Sequence, residues 1–333
     1  MATPPKLPPR LDIACLPTRV RPLQRISAAW GGPTLWIKHD DDTGALISGN
    51  KIRKLQYAVQ HALDQGADTL ITCGGLHSNH CRATAALARR LGLQVHLVLR
   101  GEPPETWTGN LLLDRVLGAE IHWITPEQYR EHDAFMEGVA AQLREQGRNP
   151  FVIAEGCSMV EGSWGYIEAV SEIADAQREH GVQFDAIVNA IGSGGTTAGL
   201  ELGLRLYGLS AELYGVNVCD DADHFRRHIG DLAAATVERY DLPVSVPPEE
   251  IDIIDGYVGL GYGKSRPEEL QSLVELARLE GVVLDPVYGG KAFHALRQLW
   301  SGEPFAGLKH VLFLHTGGIH GLHPHADALV GLE

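Results

Sequence analysis

Cysteine is scarce in this 333-residue chain, and the five present, at positions 15, 73, 81, 157 and 219, include no Cys-x-x-Cys pair. An odd and scattered set argues against a disulfide framework and reads as reduced thiols. Cys73 ends an apolar run and belongs to the core, while Cys81 and Cys157 lie beside loops where substrate contact is the alternative to simple burial. Positive charge is also short, with 28 Lys and Arg against 42 Asp and Glu and a net charge of −14. That balance repels phosphate-rich surfaces and argues against nucleic acid or an anionic membrane as a partner. No apolar run approaches membrane-spanning length, and the proline-rich start from Met1 to Arg10 lacks the apolar core of a secretory signal. A soluble, cytoplasmic protein is the expectation. Internal repeats are absent, and so are low-complexity linkers beyond those first ten residues.

Apolar strand-like runs alternate with helical ones about every thirty residues, the pattern of parallel βαβ units. The expected strands are 34–38, 68–73, 94–99, 119–124, 150–155, 184–191, 212–219 and 310–315, with the proline-rich stretch 243–250 as a loop between helices. Ligands of such sheets gather at the carboxyl ends of the strands.

Three segments carry chemistry. In Ser48-Gly49-Asn50-Lys51-Ile52-Arg53-Lys54-Leu55, a lysine follows a Gly-Asn turn at the start of a helix whose buried face is Ile52, Leu55, Val59 and Ala62. The helix N-terminus and the cations Arg53 and Lys54 would lower the pKa of Lys51 and make it a nucleophile towards aldehydes; the bland alternative is a solvated basic turn. In Gly74-Gly75-Leu76-His77-Ser78-Asn79-His80-Cys81-Arg82, a strand passes through a polar loop into a helix, giving either a carboxylate site or an ordinary N-cap. In Gly192-Ser193-Gly194-Gly195-Thr196-Thr197-Ala198-Gly199, backbone amides could converge on a phosphate, or the glycines could serve close packing. No Gly-Lys-Ser/Thr ends this loop, so it is not a nucleotide P-loop.

In this order the three segments resemble the pyridoxal-phosphate enzymes of fold type II, and among them the family of D-cysteine desulfhydrase and 1-aminocyclopropane-1-carboxylate deaminase. The resemblance extends to Leu16-Pro17-Thr18-Arg19, Trp36-Ile37-Lys38-His39-Asp40-Asp41, Gly156-Cys157-Ser158, Gly261-Tyr262-Gly263, Leu284 to Lys291 and Leu314-His315-Thr316-Gly317-Gly318. It implies a two-lobed α/β fold like the tryptophan synthase β chain, with parallel-rich sheets flanked by helices. A smaller domain, 53–162, would be inserted in a larger cofactor-binding one, 1–52 and 163–333, and the chain would form a homodimer.

The resemblance also assigns roles. Lys51 would hold pyridoxal 5'-phosphate as a Schiff base, with its phosphate on Gly192, Ser193, Gly194, Gly195 and Thr196, and on Lys54. Asn79 would meet the ring hydroxyl and Thr316 the ring nitrogen. Ser78, Asn79 and the amide of His80 would meet the carboxylate of a small amino-acid substrate, flanked by Tyr262 and Tyr288. The freed Lys51 would take the α-proton, and a tyrosine would protonate the departing β-substituent. Deaminases of this family place a glutamate directly after the tyrosine of Asp-Pro-Val-Tyr; here that residue is Gly289. Elimination from D-cysteine to pyruvate, ammonia and sulfide is therefore the leading expectation. Cyclopropane deamination, cysteate sulfo-lysis, serine dehydration, racemization and mere binding of a phosphate ligand are the alternatives. No metal is expected, because the C-terminal histidines 310, 315, 320, 323 and 325 match no zinc spacing; His320 could border the active site.

Overall fold

The computed structural model describes residues 5–332. Met1 to Pro4, within the proline-rich start, and Glu333 lie outside the described residues. The strands are β1 (Val20–Pro22), β2 (Thr34–His39), β3 (Thr69–Gly75), β4 (Gln94–Arg100), β5 (Glu120–Ile124), β6 (Pro150–Val152), β7 (Ala186–Ile191), β8 (Glu212–Asn217), β9 (Asp252–Ile254) and β10 (His310–His315). The helices are α1 (Gln24–Trp30), α2 (Asn50–Asp64), α3 (Asn79–Arg90), α4 (Gly109–Val116), α5 (His132–Glu145), α6 (Val160–His180), α7 (Gly195–Tyr207), α8 (Ala222–Tyr240), α9 (Pro267–Glu280), α10 (Gly289–Leu299) and α11 (Ala326–Val330).

The strands form two sheets, a six-stranded one in the order β1-β2-β10-β7-β8-β9 and a four-stranded one in the order β5-β4-β3-β6. Every pairing is parallel except β1 with β2. Runs such as Leu70-Ile71-Thr72-Cys73 and Val311 to Leu314 are buried on both faces, which a parallel sheet covered by helices requires. The expected strands are all present, several of them shorter. β1 and β9 were not foreseen, because a three-residue edge strand is too short to display any periodicity. The stretch 243–250 consequently leads from α8 into β9, through a 3-10 turn at Pro248–Glu250, and does not join two helices.

Helix α2 crosses between the sheets' cores. Ile52, Leu55, Ala58, Val59 and Ala62 join the apolar cluster beneath the four-stranded sheet, while Tyr57 packs with Trp164 and Ile167 of α6. At its start the polar residues are buried too. The Arg53 guanidinium forms paired bonds to Asp40 (2.9 and 2.9 Å) and to Glu172 on α6 (2.8 and 2.8 Å). Lys38 on β2 bonds Glu172 at 2.5 Å and Thr18 at 2.7 Å, and the Tyr166 hydroxyl donates to Asp40 at 2.7 Å. Burial alone would raise the pKa of Asp40, but Arg53 and Lys38 outweigh it and bring it to about 2.

This cluster sets a stability prediction. Replacing Arg53 with Met leaves two buried carboxylates facing the single charge of Lys38. A loss of about 3–5 kcal/mol is expected, read from the urea midpoint at neutral pH. Because the Asp40 pKa is depressed, the wild-type contribution persists above about pH 4 and disappears as pH falls towards 2.

Candidate active site

A cavity of about 790 Å³ opens where the carboxyl ends of both sheets face each other. Lys51, Ser78, Asn79, His80, Gly192, Ser193, Gly194, Thr196, Tyr262, Tyr288 and Thr316 all line it. Residues spread over 265 positions of sequence are thus gathered around one space.

Lys51 reaches the cavity because of how α2 begins. Gly49 has φ +83°, and a Cβ there would stand 2.5 Å from the Thr316 carbonyl oxygen, so only glycine lets the two backbones touch. The Asn50 amide donates to that same carbonyl at 3.0 Å, and its side chain donates to Thr196 at 3.1 Å. The start of α2 is in this way tied to the end of β10 and to the first turn of α7. Burial is the largest cause lowering the Lys51 pKa, with Cys157, Glu155 and Asp285 opposing. The expected contribution of Arg53 does not materialise, since its charge is consumed by Asp40 and Glu172.

Lys54, one turn further on, does not line the cavity. Its Nζ is fully buried with no hydrogen-bond partner among the described residues. Burial, then the charge of Lys51, pushes its pKa well below the ordinary lysine value. An anion nearby would relieve that penalty.

The second segment forms the N-terminus of α3. Ser78 is its N-cap, its Oγ accepting from the Cys81 amide at 3.2 Å, so the capping role and a place on the cavity wall coexist. The Asn79 Oδ1 accepts from Asn110 at 2.8 Å. Thr72 Oγ1 donates to the Ile153 carbonyl at 2.9 Å and therefore accepts from His80 Nε2 at 2.8 Å. This leaves His80 Nδ1 a bare acceptor, buried and unpartnered among the described residues. Burial, Lys51 and Lys54 push the His80 pKa well down, so its ring is neutral.

In the third segment the helix starts earlier than its apolar pattern suggested. Gly195 is already its first residue, leaving Gly192 to Gly194 as the loop, with Gly194 at φ +78°. Gly195 faces away from the cavity, its amide donating to Ser158 Oγ at 3.1 Å. Ser158 also donates to Ser193 at 2.9 Å. Gly199 serves packing, since a Cβ there would meet the Ser163 carbonyl of α6 at 2.5 Å.

The opposite wall holds Tyr262 and Tyr288. The Tyr288 hydroxyl donates to that of Tyr262 at 2.9 Å, which leaves the Tyr262 proton free. Burial raises the pKa of both phenols, keeping them protonated. Arg100, at the end of β4, was not foreseen. Its guanidinium lies 5.0 Å from the ring centres of both Tyr129 and Tyr262, a double cation–π stack facing the cavity. Glu155, which accepts from the Tyr129 hydroxyl at 2.6 Å, was missed as well. No motif signals either residue, because only the fold brings 100, 129, 155 and 262 together.

The readings that left alternatives open now resolve: for two cysteines simple burial holds, and His320 does not border the site. Cys81 and Cys157 are fully buried and off the cavity wall, whereas Cys219 lines it and donates to the Gly192 carbonyl at 3.3 Å. His320 is likewise off the wall, its carbonyl lying against Gly109. Gly289 starts α10 and donates its amide to Asp285 at 2.8 Å; a Cβ on it would stand 3.0 Å from that carboxylate. Asp285 also accepts from the amides of Val287 and Tyr288. Burial raises its pKa to about 6, against the pull of those amides and of Lys51.

Pyridoxal phosphate needs a lysine amine that can be neutral, amides and cations for a dianion, and polar partners around its ring. The half-buried Lys51 with its lowered pKa, the unpaired Lys54 and the α7 N-terminus fit it. The comparisons agree. Residues 11–317 match the family described as pyridoxal-phosphate dependent enzyme. The chain is 40% identical to the bifunctional D-cysteine desulfhydrase/1-aminocyclopropane-1-carboxylate deaminase, mitochondrial, of Arabidopsis thaliana, over 96% of this chain and 81% of that one. It is 41% identical to a putative 1-aminocyclopropane-1-carboxylate deaminase of Thermotoga maritima, over 96% and 100%. A solved structure described as an ACC deaminase homologue superposes with a TM-score of 0.89 at 38% identity, covering 98% of this chain and 96% of the other. The chain belongs to the pyridoxal-phosphate-dependent enzymes of fold type II. Within that family it is a lyase.

The raised pKa of Asp285 yields a prediction. A carboxyl with a raised folded pKa adds stability below about pH 4 and loses it as pH rises through about 6. Cofactor-free wild type should lose about 3 kcal/mol relative to Asp285→Asn across that window. Parallel denaturation curves for the two proteins between pH 4 and 7 would contradict it.

Proposed function

We propose that the chain catalyses α,β-elimination from a small amino acid, with D-cysteine as the substrate and pyruvate, ammonia and hydrogen sulfide as products, one water being consumed. The observation that carries this reading is a lysine amine of lowered pKa sharing one cavity with two protonated, mutually bonded tyrosines. Pyridoxal 5'-phosphate, when bound, supplies an electron sink for the charge left at Cα. Lys51 would hold it, with Gly192, Ser193, Gly194 and Thr196 around its phosphate and the unpaired charge of Lys54 behind them, Asn79 at its ring hydroxyl and Thr316 at its ring nitrogen. The Gly195 amide, expected in the same cradle, is already bonded to Ser158 and lends the helix dipole instead.

The remaining steps fall to this chain's side chains. Ser78, Asn79 and the His80 amide bind the substrate carboxylate at the mouth of α3, where free amides favour an anion. The neutral Lys51 amine takes the α-proton. The β-substituent leaves with its bonding pair and takes the free proton of Tyr262, which Tyr288 replenishes through their shared hydrogen bond. Arg100, stacked on Tyr262, stabilises the negative charge that gathers on the departing sulfur.

The printed activities of the relatives favour a second reading, ring opening of 1-aminocyclopropane-1-carboxylate. Gly289 speaks against it. Members of the family that open the cyclopropane resemble this chain but carry a glutamate there, able to keep the ring nitrogen protonated, and this chain has no such group.

A panel of D- and L-amino acids, scored for sulfide, pyruvate and α-ketobutyrate, decides between the two. Sulfide and pyruvate from D-cysteine without α-ketobutyrate from the cyclopropane are expected; the reverse outcome selects deamination. Lys51→Ala should fold, lose the visible absorbance of the bound cofactor and lose nearly all turnover. Retained turnover in that variant would end the reading. Arg100→Gln should lower kcat on D-cysteine by about tenfold to a hundredfold, the scale of one lost electrostatic contact to a developing anion, while cofactor absorbance is unchanged. An unaltered kcat would remove Arg100 from the leaving-group step.

A further inference from the structure

At the opposite end of β4 from Arg100, two imidazoles and a carboxylate converge. The parallel register sets His96 of β4 directly beside Glu120 of β5, and His122, two residues along, shares their face of the sheet. His96 Nδ1 lies 3.0 Å from His122 Nε2, and His96 Nε2 lies 3.8 Å from Glu120. One ligand atom from each residue falls within 4.8 Å of the others. We infer that His96, Glu120 and His122 form a binding site for a divalent transition-metal ion of the zinc class, clamping the edge strand β5 to β4.

Three observations support the clamp. At a metal–nitrogen distance of 2.0–2.1 Å, a 3.0 Å nitrogen separation corresponds to a ligand–metal–ligand angle of about 94°, so tetrahedral geometry requires the pair to open by a few tenths of an ångström and the rings, now head to head with centroids 5.3 Å apart, to turn towards the ion. Burial lowers the pKa of both histidines, and a neutral imidazole with a bare nitrogen is the form a metal takes. His96 is 5% exposed while the Glu120 side chain is 66% exposed, which gives one anchored ligand and a solvent-side entry path. Arg89 and Arg148 lie near His96 and oppose a cation, but Arg148 is paired with Asp68 at 3.4 Å and Arg89 is turned to the Leu117 carbonyl at 2.8 Å.

His2Glu donor sets leave positions for water, and this one is remote from the chemistry. Four residues of extended β4 separate His96 from Arg100, about 13 Å. The ion would stiffen the sheet whose far end supports that wall of the cavity.

The test is zinc titration of the cofactor-loaded enzyme by calorimetry, paired with thermal unfolding, for wild type, His122→Gln and Glu120→Gln. His122 is only partly buried and Glu120 exposed, so both variants are expected to fold. Surface histidines elsewhere bind zinc equally in all three proteins, and the comparison cancels them. Wild type should bind one more equivalent than His122→Gln and gain a zinc-dependent rise in unfolding temperature that His122→Gln lacks, with Glu120→Gln weakened but not abolished. Equal stoichiometry in wild type and His122→Gln, with equal unfolding temperatures, would overturn the site and leave the pair as a plain N–H···N hydrogen bond.

Discussion

The Arg53 guanidinium, forked between Asp40 and Glu172, is the constraint on which the active-site architecture depends. It joins the end of β2, the first turn of α2 and the middle of α6, with Thr18, Lys38 and Tyr166 filling the remaining bonds. Exchanging such an assembly for apolar side chains is often neutral or stabilising, so its presence is weak evidence of stabilisation for its own sake. What it supplies here is position. Lys51 stands two residues before Arg53, and a helix whose first turn is fixed in both rotation and depth cannot present its lysine elsewhere.

Much of the arrangement was legible in the chain. Strand and helix alternation pointed to the parallel sheets, and glycine punctuation marked Gly75 and Gly192 at strand ends and Gly49 at the cap of α2. Legibility failed where contact was purely tertiary. Arg100 closes a run that reads as an ordinary buried strand, and Glu155 sits in a short turn just before Gly156-Cys157-Ser158, a motif that points to the site without marking the glutamate. Lys51 was found for a partly wrong reason, because adjacent charge was credited with an effect that belongs to burial. Burial was the leading reading for Cys81 and Cys157 and both are buried, whereas nothing near Cys219 in sequence marked it for the cavity wall.

The cavity's charges divide by wall. The faces built from the start of α2, the N-termini of α3 and α7, and Arg100 are electropositive, while Glu155 and Asp285 are set near Lys51 and restrain how far its pKa falls. The small residue at 289 fits the packing, since a Cβ there would stand 3.0 Å from the Asp285 carboxylate.

Lys54 carries a consequence for the thermodynamics of loading. Its amine is held well below the ordinary lysine pKa while no counter-charge accompanies it, and a dianion brought alongside restores the higher value. If Lys54 stands beside the cofactor phosphate as proposed, filling the cradle at a pH between those two values draws protons out of solution. The observed enthalpy of cofactor loading then varies with the ionisation heat of the buffer, and apparent affinity strengthens as that buffer is made more acidic. Under that assignment a single unpartnered nitrogen would make the protein a proton acceptor each time it is charged with its prosthetic group.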